Sequence, residues 1–288
     1  MKRKLFLEAW HGMGDNIYLR PFARELTHLG ELWVQTPWPE LYEDLPVHFV
    51  HPETDLRTQR KNVERQPASR WSQVPRLAQH LRPYLDRSAL SIIAGIAAMI
   101  PLGEEGLIFD LPDHGPSPVT SSKPIAVIRP VVVRKEWQNE ARNPPPGYLR
   151  IAAAKLRERG FHVVSIADLE GKAEWLVAPR PPADEVFHHG ELVIEQLVAL
   201  VRHAAIVVGG VGWILPMAIA TKTPLIIVAG GNGRHNSPER LISLGMDDSQ
   251  VRWIMPDNYC RCGDMMHQCD RRIRYFGRRF SRTLEEVA

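Results

Sequence analysis

The chain has 288 residues, 44% of them hydrophobic, and its Lys and Arg exceed Asp and Glu by only three, 36 against 33. That length and composition bury a real core, allow two domains of ordinary size and describe a globular protein. The overall field is weak, so any nucleic-acid role depends on where the charges lie rather than on their sum. No run approaches the ~18–20 apolar residues of a membrane span. The opening Met1-Lys-Arg-Lys-Leu-Phe-Leu-Glu8 meets charge too early for a signal peptide, and the expected location is the cytoplasm.

Residues 5–10 read as a strand, followed by the loop His11-Gly-Met-Gly-Asp-Asn16 and a helix over 17–29. In that helix Tyr18, Phe22, Leu26 and Leu29 recur at helical spacing, and Gly30 stands as the stop before a strand at 31–35. The signals then weaken: a short helix and strand around Trp38, Tyr42 and 47–50, a polar surface loop over 57–70, helical patterns at 74–85 and 92–99, and a strand at 106–110. Residues 111–124 carry four prolines among small polar residues, the composition of a stiff exposed linker. The boundary falls there, between an N-terminal domain of residues 1–116 and a C-terminal domain of residues 124–288.

The opening pattern then returns as strand 125–128, a basic loop, helix 147–159 stopped by Gly160, and strand 161–166. A helix at 191–203 has Ile194, Leu197, Val198 and Val201 on one face, and leads to a buried strand ending at Val208. A glycine turn, a short helix over 213–221 and a second buried strand at 225–228 follow. Ser237 and Pro238 open another helix, as N-cap and first residue, and 251–255 is a last strand. Alternating strands and helices imply an α/β protein with parallel sheets, read as two facing Rossmann-like domains with a cleft between them.

Open α/β sheets bind ligands beyond the carboxyl ends of their strands, where two glycine loops fall: Gly209, Gly210 and Gly212, then Gly230, Gly231, Asn232 and Gly233. Glycine lets a backbone approach a ligand closely, and an N–H-rich helix start favours an anionic group such as phosphate. The other reading of the same glycines is that they only make tight turns.

The order Gly12-Met-Gly-Asp15, a basic loop opening the second domain, and a Val-Val-Gly turn leading through an Ala-containing helix to Thr-Pro and a strand ending in Gly-Gly resembles the heptosyltransferase-type, glycosyltransferase family 9-like enzymes of the GT-B fold. The resemblance extends over most of the chain, on short motifs. It implies a glycosyltransferase, inverting and metal-independent. A nucleotide-sugar donor would be held by the C-terminal domain and an acceptor presented by the N-terminal one. Asp15 then matches the base that deprotonates the acceptor hydroxyl, with Gly12, Gly14 and Asn16 on the acceptor side. In the basic loop 129–144, Arg134, Lys135 and Arg142 stand where the family has cations for the donor pyrophosphate, whose negative charge grows as the glycosidic bond breaks. Asp168, like Glu170 after the same strand, is placed to accept hydrogen bonds from ribose hydroxyls. Each has a second reading: Asp15 as a helix N-cap, and the loop, with Glu136 and Glu140 interspersed, as a solvated ion-pair surface.

The chain departs from the family where the latter carries Asp-Thr/Ser-Gly and then His. Here Val211-Gly-Trp-Ile-Leu-Pro216 offers only backbone amides, with His235 and Asn236 as candidate replacements. Two other classes stay open. A nicotinamide-dependent oxidoreductase would explain two Rossmann-like halves, but Ile17 and Leu215 occupy the third glycine position of G-x-G-x-x-G. A non-catalytic sugar-nucleotide or nucleic-acid binding protein is the other. The acceptor is a saccharide or DNA, because enzymes that glycosylate viral DNA share the GT-B fold. The segment Arg271 to Arg282, where arginines and aromatics interleave, reads either as a holder of a phosphate-rich acceptor or as a solvated terminal helix with buried aromatics.

All three cysteines lie in Cys260-Arg-Cys-Gly-Asp-Met-Met-His-Gln-Cys269. Cys260, Cys262, His267 and Cys269 make a Cys3His set suited to a structural zinc, although Cys-x-Cys is tighter than the usual spacer. The alternative is a group of reduced, partly buried thiols. Transfer itself requires no cofactor.

Overall fold

The computed structural model describes residues 3–83, 91–100, 102–136, 138–171, 173–243 and 245–287. The chain forms two units, the first Met1–Asp113 with Glu239–Met246, the second His114–Pro238 with Asp247–Ala288.

In the first unit, the described residues form a parallel sheet of β1 (Lys4–Glu8), β2 (Glu31–Gln35), β3 (Val47–Val50) and β4 (Gln79–Leu81), in the order β3-β2-β1-β4. Leu5, Leu7, Leu32 and Val34 of the strands are buried, as are Ile17, Phe22 and Leu26 of α1 (Met13–Leu29). Leu29 lies outside that stripe and is 46% exposed. α1 starts earlier than its apolar period, because extended Gly12 supplies the carbonyl that accepts the Asn16 N–H at 3.0 Å and closes the first turn. The segment Glu239–Met246 returns to this unit, where the Tyr18 hydroxyl donates to the Leu241 carbonyl at 2.8 Å.

Three sequence expectations fail here for physical reasons. The polar stretch 57–70 is not a loop but contains α2 (Arg57–Arg65) and a 3-10 turn at Ala68–Arg70. Its buried face is mostly polar: Gln59 and Asn62 are buried beside the lone apolar Val63, and Asn62 donates to the Pro37 carbonyl at 2.8 Å and to buried Glu40 at 3.0 Å, so apolar periodicity does not report it. The pattern at 74–85 is not helical; β4 pairs with β1 there, Leu77 is 92% exposed, and residues 84–85 lie outside the described ones. Residues 106–110 form no ladder, as Gly106 turns at φ +77° and Asp110 is committed to Arg20 and Arg24. At 92–99, α3 (Ile92–Ala97) forms as expected, capped by the Ser91 hydroxyl.

The second unit contains β5 (Ile125–Ile128), β6 (Val132–Arg134), β7 (His162–Ile166), β8 (Glu174–Leu176), β9 (Glu185–Phe187), β10 (Ile206–Gly209), β11 (Leu225–Val228) and β12 (Val251–Ile254). Among the described residues six of these form a parallel sheet ordered β12-β11-β10-β5-β7-β9, while β6 and β8 pair antiparallel. β10 and β11 are buried along their whole length, as strands covered on both faces must be. The helices are α4 (Pro146–Glu158), α5 (Ile194–Arg202), α6 (Ile214–Ala220), α7 (Gly233–Asn236) and α9 (Phe276–Glu285), while α8 (Pro238–Leu241) lies almost wholly in the segment that returns to the first unit. The basic loop thus holds a strand, β6, and β8 and β9 are too short to have announced themselves. Trp137 lies outside the described residues.

The arginine-aromatic segment enters an amphipathic helix at Phe276. Phe276, Phe280 and Leu284 of α9 are buried at i, i+4, i+8 spacing, Phe276 stacks on Tyr148 with centroids 4.4 Å apart, and Arg279 pairs with Asp257 at 2.9 Å.

Candidate functional site

In the first unit the turn from β1 into α1 sets Asp15 in the first helical turn, where a carboxylate suits the positive end of the helix. Its carboxylate lies over Gly12, and a Cβ on residue 12 would run into it. Glycine at that position is what leaves Asp15 its place. Asn16 is fully buried and holds the turn: its amide nitrogen donates to the Gly12 carbonyl at 2.9 Å and to the Trp10 carbonyl, and its oxygen accepts from Thr36 at 2.7 Å and Tyr42 at 3.1 Å. Gly14 occupies the same turn and is half-buried.

In the second unit all strands of the large sheet run parallel, so the loops after β5, β7, β10 and β11 leave from one edge. That edge collects Arg129 after β5, Asp168 after β7, the Gly209–Gly212 turn after β10 and the Gly230–Gly233 loop after β11. Two guanidinium groups, those of Arg129 and Arg142, meet there, and the charge of Arg134 also acts on Arg129. Arg129 lies over the Trp213 ring at 5.6 Å, and Arg142 Nε donates to the Val211 carbonyl at 3.0 Å. A Cβ on Gly212 would stand 3.1 Å from Arg142 Nη2 and 3.5 Å from Arg129 Nη1. Arg134 binds buried Glu174 at 3.2 Å. Burial, then the charges of Arg142 and Arg134, pull Arg129 down to about 10, and Glu174 offsets only part of this. Among the described residues no carboxylate reaches Arg129 within ion-pair distance. A cation kept there costs free energy that a bound anion offsets.

The glycines of both loops serve close packing. Gly210 lies against Pro144, whose Cδ would be 3.0 Å from an added Cβ, and Gly230 against the carbonyls of Arg142 and Asn143. Gly231 abuts Cys269, and its N–H donates to the Ala141 carbonyl at 2.6 Å. The absence of side chains on these glycines lets loop 141–144 settle across both glycine turns and carry Arg142 to Gly212. Lys135 is exposed, with its main-chain N–H donating to Ala173 at 2.9 Å. Asp168 is half-buried and bridges to His189. Asn232 is fully buried with φ +55°, its side-chain amide atoms have no hydrogen-bond partner among the described residues, and its carbonyl anchors the N–H groups of His235 (3.1 Å) and Asn236 (3.2 Å). Arg129 and Trp213 are the residues that motif reading passes over. The signal for Arg129 was a lone arginine at the carboxyl end of a buried strand.

The cysteine segment folds on itself. The ligand atoms of Cys260, Cys262, His267 and Cys269 lie within 4.8 Å of one another: Cys260 Sγ to His267 Nδ1 is 3.5 Å, Cys262 Sγ to Cys269 Sγ 3.5 Å, and His267 Nδ1 to Cys269 Sγ 3.3 Å. A tetrahedral ion with bonds of about 2.0–2.3 Å sets such ligands roughly 3.5–3.8 Å apart, so the cluster fits a metal. Thiolate and imidazole donors suit zinc or iron.

No protein-family model matches this chain, and no curated protein sequence does. Solved structures match its fold. The iron-containing dodecameric glycosyltransferase TibC from enterotoxigenic E. coli H10407 shares 16% identity over all of this chain and 80% of its own, with a TM-score of 0.64. The E. coli ADP-heptose lps heptosyltransferase II shares 16% over 99% of this chain and 100% of its own, at a TM-score of 0.59. The glycosyl transferase family 9 protein of Veillonella parvula DSM 2008 shares 11% over 99% of this chain and 97% of its own, also at 0.59. The chain therefore has the α/β fold of the heptosyltransferase-type glycosyltransferases. One of these structures holds TibC in complex with ADP-D-beta-D-heptose, and another holds E. coli heptosyltransferase WaaC with ADP.

Proposed function

We propose that this protein is a glycosyltransferase that moves a sugar from a nucleotide-sugar donor to an acceptor hydroxyl. The observation that supports the reading is the approach of Arg129 and Arg142 to the Gly209–Gly212 turn, with the charge of Arg134 acting on Arg129, in a fold shared by solved glycosyltransferases. A nucleoside diphosphate gains negative charge as it leaves, and enclosed guanidinium groups meet that charge with little reorganisation. Asp15 is the base. It takes the acceptor hydroxyl proton while the oxygen bonds to the anomeric carbon, the bond from that carbon to the phosphate oxygen breaks, and the electron pair departs with the diphosphate, inverting the centre.

Gly12, Gly14 and Asn16 shape the acceptor side. Lys135, Asp168, Gly230, Gly231, Asn232 and His235 complete the donor side around the arginines. The reaction centre needs no metal, and the Cys3His cluster would hold an ion in a structural role. ADP-linked sugars are the first donors to examine, because ADP and ADP-heptose occupy the structures of WaaC and TibC. The acceptor is the hydroxyl of a saccharide or of DNA. Among the described residues no helix is long and apolar enough to cross a membrane, and a cytoplasmic setting suits the three free thiols.

Titration calorimetry with ADP, UDP, GDP and CDP, followed by turnover of the matching nucleotide sugars, tests the reading. Binding of one diphosphate and release of it from its sugar are expected. A protein that binds none of the four, or that binds NADH instead, overturns the reading.

A further inference from the structure

The cysteine segment has almost no core of its own. From residue 261 to 270 Cys269 is the buried side chain, while Met265 and Met266 are 42% and 62% exposed. Yet this segment is what the donor-side loops hang from. The Gly233 N–H donates to the Cys260 carbonyl at 2.8 Å, the Arg234 N–H to the Cys262 carbonyl at 3.1 Å, and the Ala141 N–H to the Met265 carbonyl at 3.3 Å. Arg271 Nη1 reaches the Asn143 carbonyl at 3.0 Å, and Cys269 packs directly on Gly231. Two metal-ligating residues therefore lend their carbonyls to the loop that begins α7, a third is its floor, and the same loop holds Ala141 next to Arg142. A segment this poor in buried apolar surface keeps one conformation only if something cross-links it.

We propose that a metal ion bound by Cys260, Cys262, His267 and Cys269 positions loop 139–143 and loop 230–236, so that binding of the donor diphosphate is thermodynamically linked to metal occupancy. The four ligands are positioning residues acting through Arg142 and the second glycine loop. The linkage is reciprocal, and diphosphate tightens metal binding by the factor by which metal tightens diphosphate binding. The identity of the ligand rests on the glycosyltransferase reading; the coupling of the loops to the metal does not.

The test compares the protein as purified, after stripping with phenanthroline, and after reloading with Zn2+ or Fe2+. Metal content is measured by mass spectrometry, amide exchange is read at 139–143 and 230–236 against the strands β5 and β10, and affinity is measured for inorganic pyrophosphate and ADP. Roughly one ion per chain is expected. Stripping should deprotect both loops while leaving the strands unchanged and weaken binding about tenfold or more, and reloading should restore both. Cys262→Ser should behave as the stripped protein. Cys262→His, which can still ligate, should keep metal and affinity. Unchanged loop protection after metal loss, or the absence of any metal uptake, overturns the proposal. If no form binds pyrophosphate or ADP, the glycosyltransferase reading fails, and the exchange data still decide the coupling.

Discussion

Replacing Arg129 with methionine should make the protein more stable and worse at holding a diphosphate. Enclosure and two neighbouring cations lower Arg129 by more than two units, to about 10. At about 1.4 kcal/mol for each tenfold change in acidity, the charge costs the folded state on the order of 3 kcal/mol. The folded protein releases this proton before the unfolded chain does, so the cost is present in full below about pH 10 and shrinks as the pH rises above it. Arg129 is half-buried as a residue, and partial solvent contact trims the figure to roughly 2 kcal/mol. Arg129→Met also gives up the contact with Trp213, worth about 0.5–1 kcal/mol, which leaves a net gain of about 1 kcal/mol. That corresponds to an unfolding transition about 2–4 °C higher in a unit of this size. The same change removes a charge-assisted contact to the bound anion worth about 1.5–3 kcal/mol, a loss of roughly 10- to 150-fold in affinity for pyrophosphate or the preferred nucleoside diphosphate. Scanning calorimetry and titration calorimetry on one preparation read both effects. A variant that melts lower and binds pyrophosphate as well as the parent would show that Arg129 holds the fold and not a ligand.

Asp15→Asn should keep diphosphate affinity within twofold and reduce transfer by about 10²–10⁴, measured as diphosphate release; lost diphosphate binding would reassign Asp15 to structure. Gly230→Ala places a methyl group against the carbonyls of Arg142 and Asn143, so it should displace the basic loop and weaken diphosphate binding about tenfold, with unchanged far-UV circular dichroism. Arg20, fully buried between Asp44 at 2.6 Å and Asp110 at 3.2 Å, should cost about 2–3 kcal/mol as Arg20→Ala in urea unfolding, since a buried ion pair is broken and both carboxylates keep only Arg24. Burial raises the Asp44 carboxyl, but the hydrogen bond and charge of Arg20, helped by Arg24, outweigh it and hold it below its ordinary value. That stabilisation is complete above the ordinary carboxylate range and is lost as pH falls through the lowered value. Urea midpoints should therefore drop from pH 5 to pH 3 in the parent and less steeply in the variant.

The β-α-β skeleton was legible in the residues alone, because apolar runs such as Leu225–Val228 and stripes such as Tyr18, Phe22 and Leu26 are set by which side chains must leave water. So were the glycine turns on one edge of the sheet and the grouping of three cysteines with a histidine, since glycines after buried strands and four such residues within ten are local patterns. Elements held by polar contacts were not. The buried face of α2 is satisfied through Glu40 and Pro37, and β4, β8 and β9 are three-residue strands that exist because a neighbour offers a ladder. Nor does any local pattern mark Glu239–Met246 as part of the first unit. The chemistry of Arg129 belongs to the tertiary structure entirely. An arginine is an ordinary surface residue until packing encloses it, and here Arg142 comes close to it because glycines at 210, 230 and 231 let residues 141–144 lie flat across the edge of the sheet. Local order follows from which residues seek or avoid water, whereas the strength of a charge depends on the dielectric and the neighbours that distant segments bring to it.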